Sequence, residues 1–172
     1  MDTDMDSIHS PADGWLNAEA YHNPSQASHP LTPTFVPATA LPHVCYSPAH
    51  PNPTKTGSLA GQGNNRCIWI ANEQGALAEG TSQGSLDGLI DSYLEPDASI
   101  GWHSHHHSEE YYYLLSGTLN VMMQDQNGHT SSFILAPGDR HWIGPGMSHC
   151  AQAGNEGARF IAIMLKCQGV RL

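Results

Sequence analysis

From about residue 64 onward the chain breaks into short β-rich runs parted by turn residues, with no helical period between them. "RCIWIA", "DGLIDSYLEP", "ASIGWHSH", "EEYYYLLSG", "TLNVMMQD", "SSFILAPGD", "RHWIG", "SHCAQA" and "ARFIAIMLK" follow in order. Turn signals stand between them: "SGT", "QNGH" with its Asn-Gly pair, "APGD" and "GPGM". Asn-Gly favours a two-residue type I′ hairpin. Many short strands at a spacing of roughly 8–12 residues predict an antiparallel sandwich or a small barrel. The 17 Gly and 12 Pro in 172 residues suit such a turn-rich all-β chain. "GTSQGSLDG", ahead of the second run, reads as a mobile loop.

Before residue 55 the composition is different. Nine of the twelve prolines lie there, and no Lys or Arg. Each proline removes a donor and fixes φ, which excludes a helix or a central strand. Residues 1–28 are expected to be disordered, residues 29–63 to form an extended arm, and residues 64–172 to form the barrel. Leu31, Phe35, Val36, Leu41 and Val44 would let the arm lie on the barrel surface. His9, His22, His29, His43 and His50 lack ligand spacing and read as solvated.

Six basic against sixteen acidic residues give a formal charge of -10. Phosphate neutralisation needs a basic surface, so nucleic acid is an unsuitable partner. An anionic membrane surface is excluded on the same ground. No apolar signal region opens the chain, and no run of about 18 apolar residues spans a membrane. The expected location is therefore cytoplasmic, and Cys45, Cys67, Cys150 and Cys167 are read as reduced thiols.

The stretch "WHSHHHSEEYYYLLSG" concentrates the chemistry. Residues two apart on a strand share a face. His103 and His105 thus point one way, and Trp102 and Ser104 the other. On the returning strand Glu110, Tyr112 and Leu114 share a face, with Glu109, Tyr111, Tyr113 and Leu115 opposite. Two imidazoles at i, i+2 can chelate one ion, and a Glu opening the next strand can meet them. A third His from a distant strand would complete the site. Imidazole with carboxylate suits Fe, Mn, Ni, Co, Cu or Zn rather than Ca or Mg. A register that uses His107 instead stays open. The apolar outer face of the Tyr run calls for cover, by the arm or a partner subunit.

The pattern resembles the cupin superfamily. "DASIGWHSHHHSEEYYYLLSG" fits the first cupin motif, with His103, His105, Glu110 and Gly117 in place and Asp97 where the family opens on Gly. "GDRHWIGPGMSH" fits the second, with Gly138, Gly146 and His149 in place, Gly144 in the Pro position and Ala153 in the Asn position. The resemblance covers about residues 64–167. It implies a double-stranded β-helix (jelly-roll) barrel holding one divalent transition metal on His103, His105, Glu110 and His149. Tyr112 becomes the candidate acid/base, and His141, Trp102 and Met147 candidate substrate contacts. The expected function is metal-dependent chemistry on a small organic molecule, dioxygenase-like. A non-redox lyase, isomerase or cyclase, or a non-catalytic binding protein, are the alternatives. The resemblance also implies a homodimer.

Overall fold

A computed structural model of the chain describes residues 16–17, 41–72 and 86–167. The expected disordered tip and most of the expected arm, including Leu31, Phe35 and Val36, fall outside these residues, as does most of the "GTSQGSLDG" loop. Nine strands form the described part: β1 Leu16–Asn17, β2 His43–Tyr46, β3 Asn65–Asn72, β4 Leu86–Leu94, β5 Ser99–His105, β6 Ser108–Gln124, β7 Thr130–Leu135, β8 Arg140–Ile143 and β9 Met147–Lys166. A single 3-10 turn, Gly57–Ala60, is the one helical element among them. No described helix is long and apolar enough to cross a membrane. The all-β barrel expected from the sequence is what the chain forms.

Two strands organise the rest. β6 and β9 are 17 and 20 residues long. They pair antiparallel along most of their length, from Ser108↔Lys166 to Gln124↔Ser148. The first half of β6 is also paired with β8, and the second half of β9 with β4, β4 with β3 and β3 with β2. The second half of β6 pairs with β7, and the first half of β9 with β5. β6 and β9 thus run through both walls of the barrel, bending between them.

The sequence reads a turn at "SGT" and separate strands on either side of it. The structure instead keeps one strand through that point and bends it. The pairing of β6 with β9 slips between Leu114 and Ser116 and again between Gly117 and Leu119, so the chain bulges rather than reverses. Gly117 and Gly157 face each other there, with φ of 78° and 80°. A Cβ on Gly117 would run into the Gly157 carbonyl oxygen. The same holds for "SHCAQA" and "ARFIAIMLK", which are two halves of β9. The Asn-Gly hairpin also differs from expectation. Its loop is Asp125 to His129, closed by Asp125 N–H donating to the His129 carbonyl at 2.9 Å. Only Gly128 has positive φ, and a type I′ turn needs two such residues. The Asp125 carboxylate supports the longer loop by accepting from the N–H groups of Asn127 and His129.

Alternation gives the core. In β6 Glu110, Tyr112 and Leu114 are buried, while Tyr113 and Leu115 are exposed. Leu94, Leu114, Leu119, Trp69 and Phe160 are fully enclosed, and the Trp69 indole N–H donates to the buried Tyr46 hydroxyl at 3.0 Å. The outer face is apolar as well. Leu89, Ile163, Tyr111 and Trp142 stand in one row across β4, β9, β6 and β8.

Asp97, standing where the family opens on glycine, takes φ 60°. Asp tolerates that left-handed conformation better than most residues, so the departure from the motif leaves the turn intact. The bend sets a test. Gly117→Ala meets both positive φ and a backbone clash, and should cost about 2 kcal/mol or more in denaturant unfolding. Gly128→Ala, with open space around it, should cost only about 1–2 kcal/mol. Equal small losses would mean that the bend does not depend on close approach.

Candidate metal centre

Four buried side chains meet inside the barrel. His103 and His105 come from β5, His149 from β9 and Glu110 from β6. His103 and His149 are direct cross-strand partners. Glu110 arrives from the other wall, where it pairs with Ile143 of β8. One atom from each of the four lies within 4.8 Å of the others. His149 Nε2 stands 2.9 Å from His103 Nε2 and 3.2 Å from His105 Nε2. Glu110 Oε2 stands 3.4 Å from His149 Nε2 and 3.6 Å from His105 Nε2. Bonds of about 2.0–2.2 Å to one ion, at angles of about 90–110°, give ligand separations of about 2.8–3.6 Å. The donor set fits a single transition-metal ion.

Hydrogen bonds behind the rings aim them. His103 Nδ1 lies 2.8 Å from the Gly101 carbonyl, which can only accept, so its proton sits on Nδ1 and the Nε2 lone pair faces inward. His105 Nδ1 lies 3.4 Å from the Ser108 hydroxyl. His149 Nδ1 lies 2.9 Å from Nε2 of buried His141 on β8. A His149 that offers Nε2 inward donates from Nδ1 to His141, as a metal-ligating imidazole is commonly held. Three imidazole nitrogens and a carboxylate oxygen then converge on one point. Glu110 Oε2 is fully buried and has no hydrogen-bond donor. Such a group is costly unless a cation meets it.

Burial controls the protonation states. It holds His149 well below the ordinary imidazole value, with His103 and His141 adding to the effect. It lowers His141 to about 4, against an opposing pull from the Glu110 carboxylate. Tyr112 is pushed well above the usual phenol value, first by burial and then by the Glu110 charge, with a hydrogen bond to that carboxylate as a further cause. The phenol keeps its proton. Its ring stacks near His149 at 5.4 Å between centroids.

A cavity of about 40 Å³ adjoins the cluster on the Glu110 side, reached by Tyr112, Glu110 and His50. The candidate substrate contacts named from sequence stand elsewhere. Trp102 is on the outward phase of β5, its carbonyl bonded by Asn52 Nδ2 at 2.7 Å and its ring under the Lys55 ammonium. His141 is engaged with His149. Met147 pairs with His105 at the start of β9. The far wall is built by residues that sequence reasoning did not assign to the site: Tyr46, Asn65, Cys67 and Ser92. Ser92 donates to Asn65 Oδ1 at 2.6 Å, and burial raises the Cys67 thiol to about 12, so it is inert. Their period-2 spacing on β3 and β4 was the available signal. His106 and His107 are exposed outside the cluster, which leaves the His107 register unsupported. Glu109 faces outward and accepts from the Trp142 indole N–H at 2.9 Å.

The depressed histidines give a pH prediction. Unfolded, His141 and His149 titrate near 6.5; folded, His141 resists protonation down to about 4. Between these values the unfolded chain binds protons that the fold does not, so stability falls as pH drops through that window. The melting temperature of the chelator-treated protein should decline from pH 7 to pH 4.5, and decline less in His141→Gln. Matching profiles for the two proteins would contradict the assignment.

Residues 92–164 match the model of the cupin domain family. Comparison with curated protein sequences gave no significant match. Among solved structures, a protein of Thermotoga maritima described as a predicted oxalate decarboxylase is 21% identical, with 69% of this chain and 93% of that one covered and a TM-score of 0.51. Oxalate decarboxylase of Bacillus subtilis is 24% identical at a TM-score of 0.49; the match covers 62% of this chain and 25% of that enzyme. KdgF from Halomonas sp. is 15% identical, with 60% and 82% covered and a TM-score of 0.47. At these identities the likeness extends to the fold alone. With both motifs on their strands, residues 92–164 of the barrel are a cupin domain.

Proposed function

We propose that the protein is a metal-dependent enzyme acting on a small organic substrate inside the barrel, with dioxygenase chemistry as the first reading. The observation that carries it is the buried convergence of three imidazoles and one undonated carboxylate oxygen beside a small cavity. A bound transition metal would supply Lewis-acid polarisation of a substrate oxygen and, where redox-active, electron transfer with O2. The chain supplies the rest. His141 and Gly101 hold two of the rings in orientation. Apolar side chains such as Ile90, Ile100 and Phe160 line the cavity. Tyr112, held protonated, is positioned to donate a hydrogen bond or a proton to a substrate oxygen.

The small volume and the lack of any Lys or Arg among the lining residues favour a compact molecule. Such a ligand is neutral, or carries charge that the ion itself balances. The protonated Tyr112 is the feature that favours the second reading, a non-redox lyase, isomerase or cyclase using that phenol as acid. A binding protein without turnover is the third.

The test uses protein stripped with chelator and reloaded with Fe(II), Mn(II) or Zn(II). A panel of small hydroxy acids, keto acids, enols and oxalate is then incubated with and without air. The first reading predicts turnover that needs both the metal and O2, and that disappears in the His103→Ala/His105→Ala double variant. Equal rates without O2 would replace it by the second reading. Binding without turnover would leave the third. Failure of the protein to take up about one equivalent of any ion would overturn all enzymatic readings.

A further inference from the structure

His50 lies outside both cupin motifs, in a segment that sequence reasoning assigned to a surface arm. The fold carries it to the metal centre. Its imidazole lies flat on that of His103, with centroids 3.9 Å apart and planes within 9° of parallel. The same ring forms part of the cavity wall. Parallel rings at this distance cannot turn independently, so the orientation of His50 and that of His103 are tied.

The backbone around His50 is strapped to the ligand strand. Gly101 N–H donates to the Ala49 carbonyl at 3.0 Å, and Asn52 Nδ2 donates to the Trp102 carbonyl at 2.7 Å. These bonds bracket His50 and bind on both sides of the peptide that leads into His103. His50 itself takes φ 47°, an unusual conformation for a residue with a side chain. Gly101 makes the close approach possible, since a Cβ there would collide with the His50 carbonyl oxygen. The opposite edge of the His103 ring is fixed by Nδ1 donating to Gly101. One glycine therefore serves both contacts.

We infer that His50 is a positioning residue of the metal centre: its stacked ring fixes the plane of ligand His103 and closes the cavity on that side. The inference rests on the reading that His103, His105, Glu110 and His149 hold a metal ion. It identifies the 47–52 segment as part of the site rather than a covering arm. The contribution is one of shape, so a flat non-ligating ring should replace it.

Co(II) loaded into the chelator-stripped protein is the probe. Its visible d–d absorption reports ligand geometry without any turnover, and its release to excess chelator reports retention. His50→Phe should keep the wild-type spectrum and release rate. His50→Leu, of similar bulk but not flat, should shift the spectrum and release Co(II) about 10-fold faster, the scale seen when support behind a metal ligand is lost. His50→Ala should behave as Leu or worse; if it fails to fold, the Phe and Leu pair decides. Phe and Leu variants that both match the wild type would overturn the inference. So would a Phe variant as impaired as Leu, since the flat ring would then not be what matters. Wild-type protein that takes up no Co(II) would instead refute the metal reading on which the inference depends.

Discussion

The pairing of β6 with β9 holds this structure together. Two strands of 17 and 20 residues stay hydrogen-bonded through a shared bend, and each thereby belongs to both walls of the barrel. The bend needs backbone against backbone at Gly117 and Gly157, which only glycine permits. Its consequence for the site is direct. The first half of β6 delivers Glu110 from one wall, and the first half of β9 delivers His149 from the other. A ligand set drawn from both walls cannot form unless the walls are joined at a fixed distance.

Electrostatics then decides what the meeting point can hold. Burial keeps His149 and His141 neutral, so inward-facing lone pairs are available near neutral pH. The same burial leaves Glu110 Oε2 without a donor. Desolvating an anion is expensive, and a polar group left unpaired in the interior usually marks a functional demand. One cation satisfies the carboxylate and all three nitrogens at once. The supporting bonds, from His103 to Gly101 and from His149 to His141, are the ones that would keep those nitrogens aimed at it.

Much of this was legible from sequence because strands write their geometry with a period of two. That period put Glu110 inward and Glu109 outward, and it set His103 and His105 on one face. The resemblance supplied His149, whose position depends on a strand far along the chain. Three things escaped. The continuity of β6 and β9 did, because a bulge carries the same glycine signature as a turn. The far wall of the cavity did, because Asn65, Cys67 and Ser92 look like ordinary strand residues until β3 and β4 are packed. His50 did as well, because proline-rich sequence reads as unstructured when its bonds run to a distant strand. The clue was Gly101, a glycine inside a β-run, which marks a close backbone approach. Residues 29–40 of the expected arm lie outside the described structure, and the sequence remains the sole ground for that part of the reading.

The central claim is that one ion sits between the two walls, held by Glu110 and not by its neighbour. Metal content and affinity of Glu110→Gln and Glu109→Gln, measured by elemental analysis and chelator competition, test it most directly. The Gln side chains keep shape and remove the anionic oxygen. The account predicts that Glu110→Gln loses metal affinity by about 10-fold or more, while Glu109→Gln, altered at its outward contacts with Trp142 and Tyr111, keeps the wild-type stoichiometry. Equal effects, or a larger loss at position 109, would contradict it.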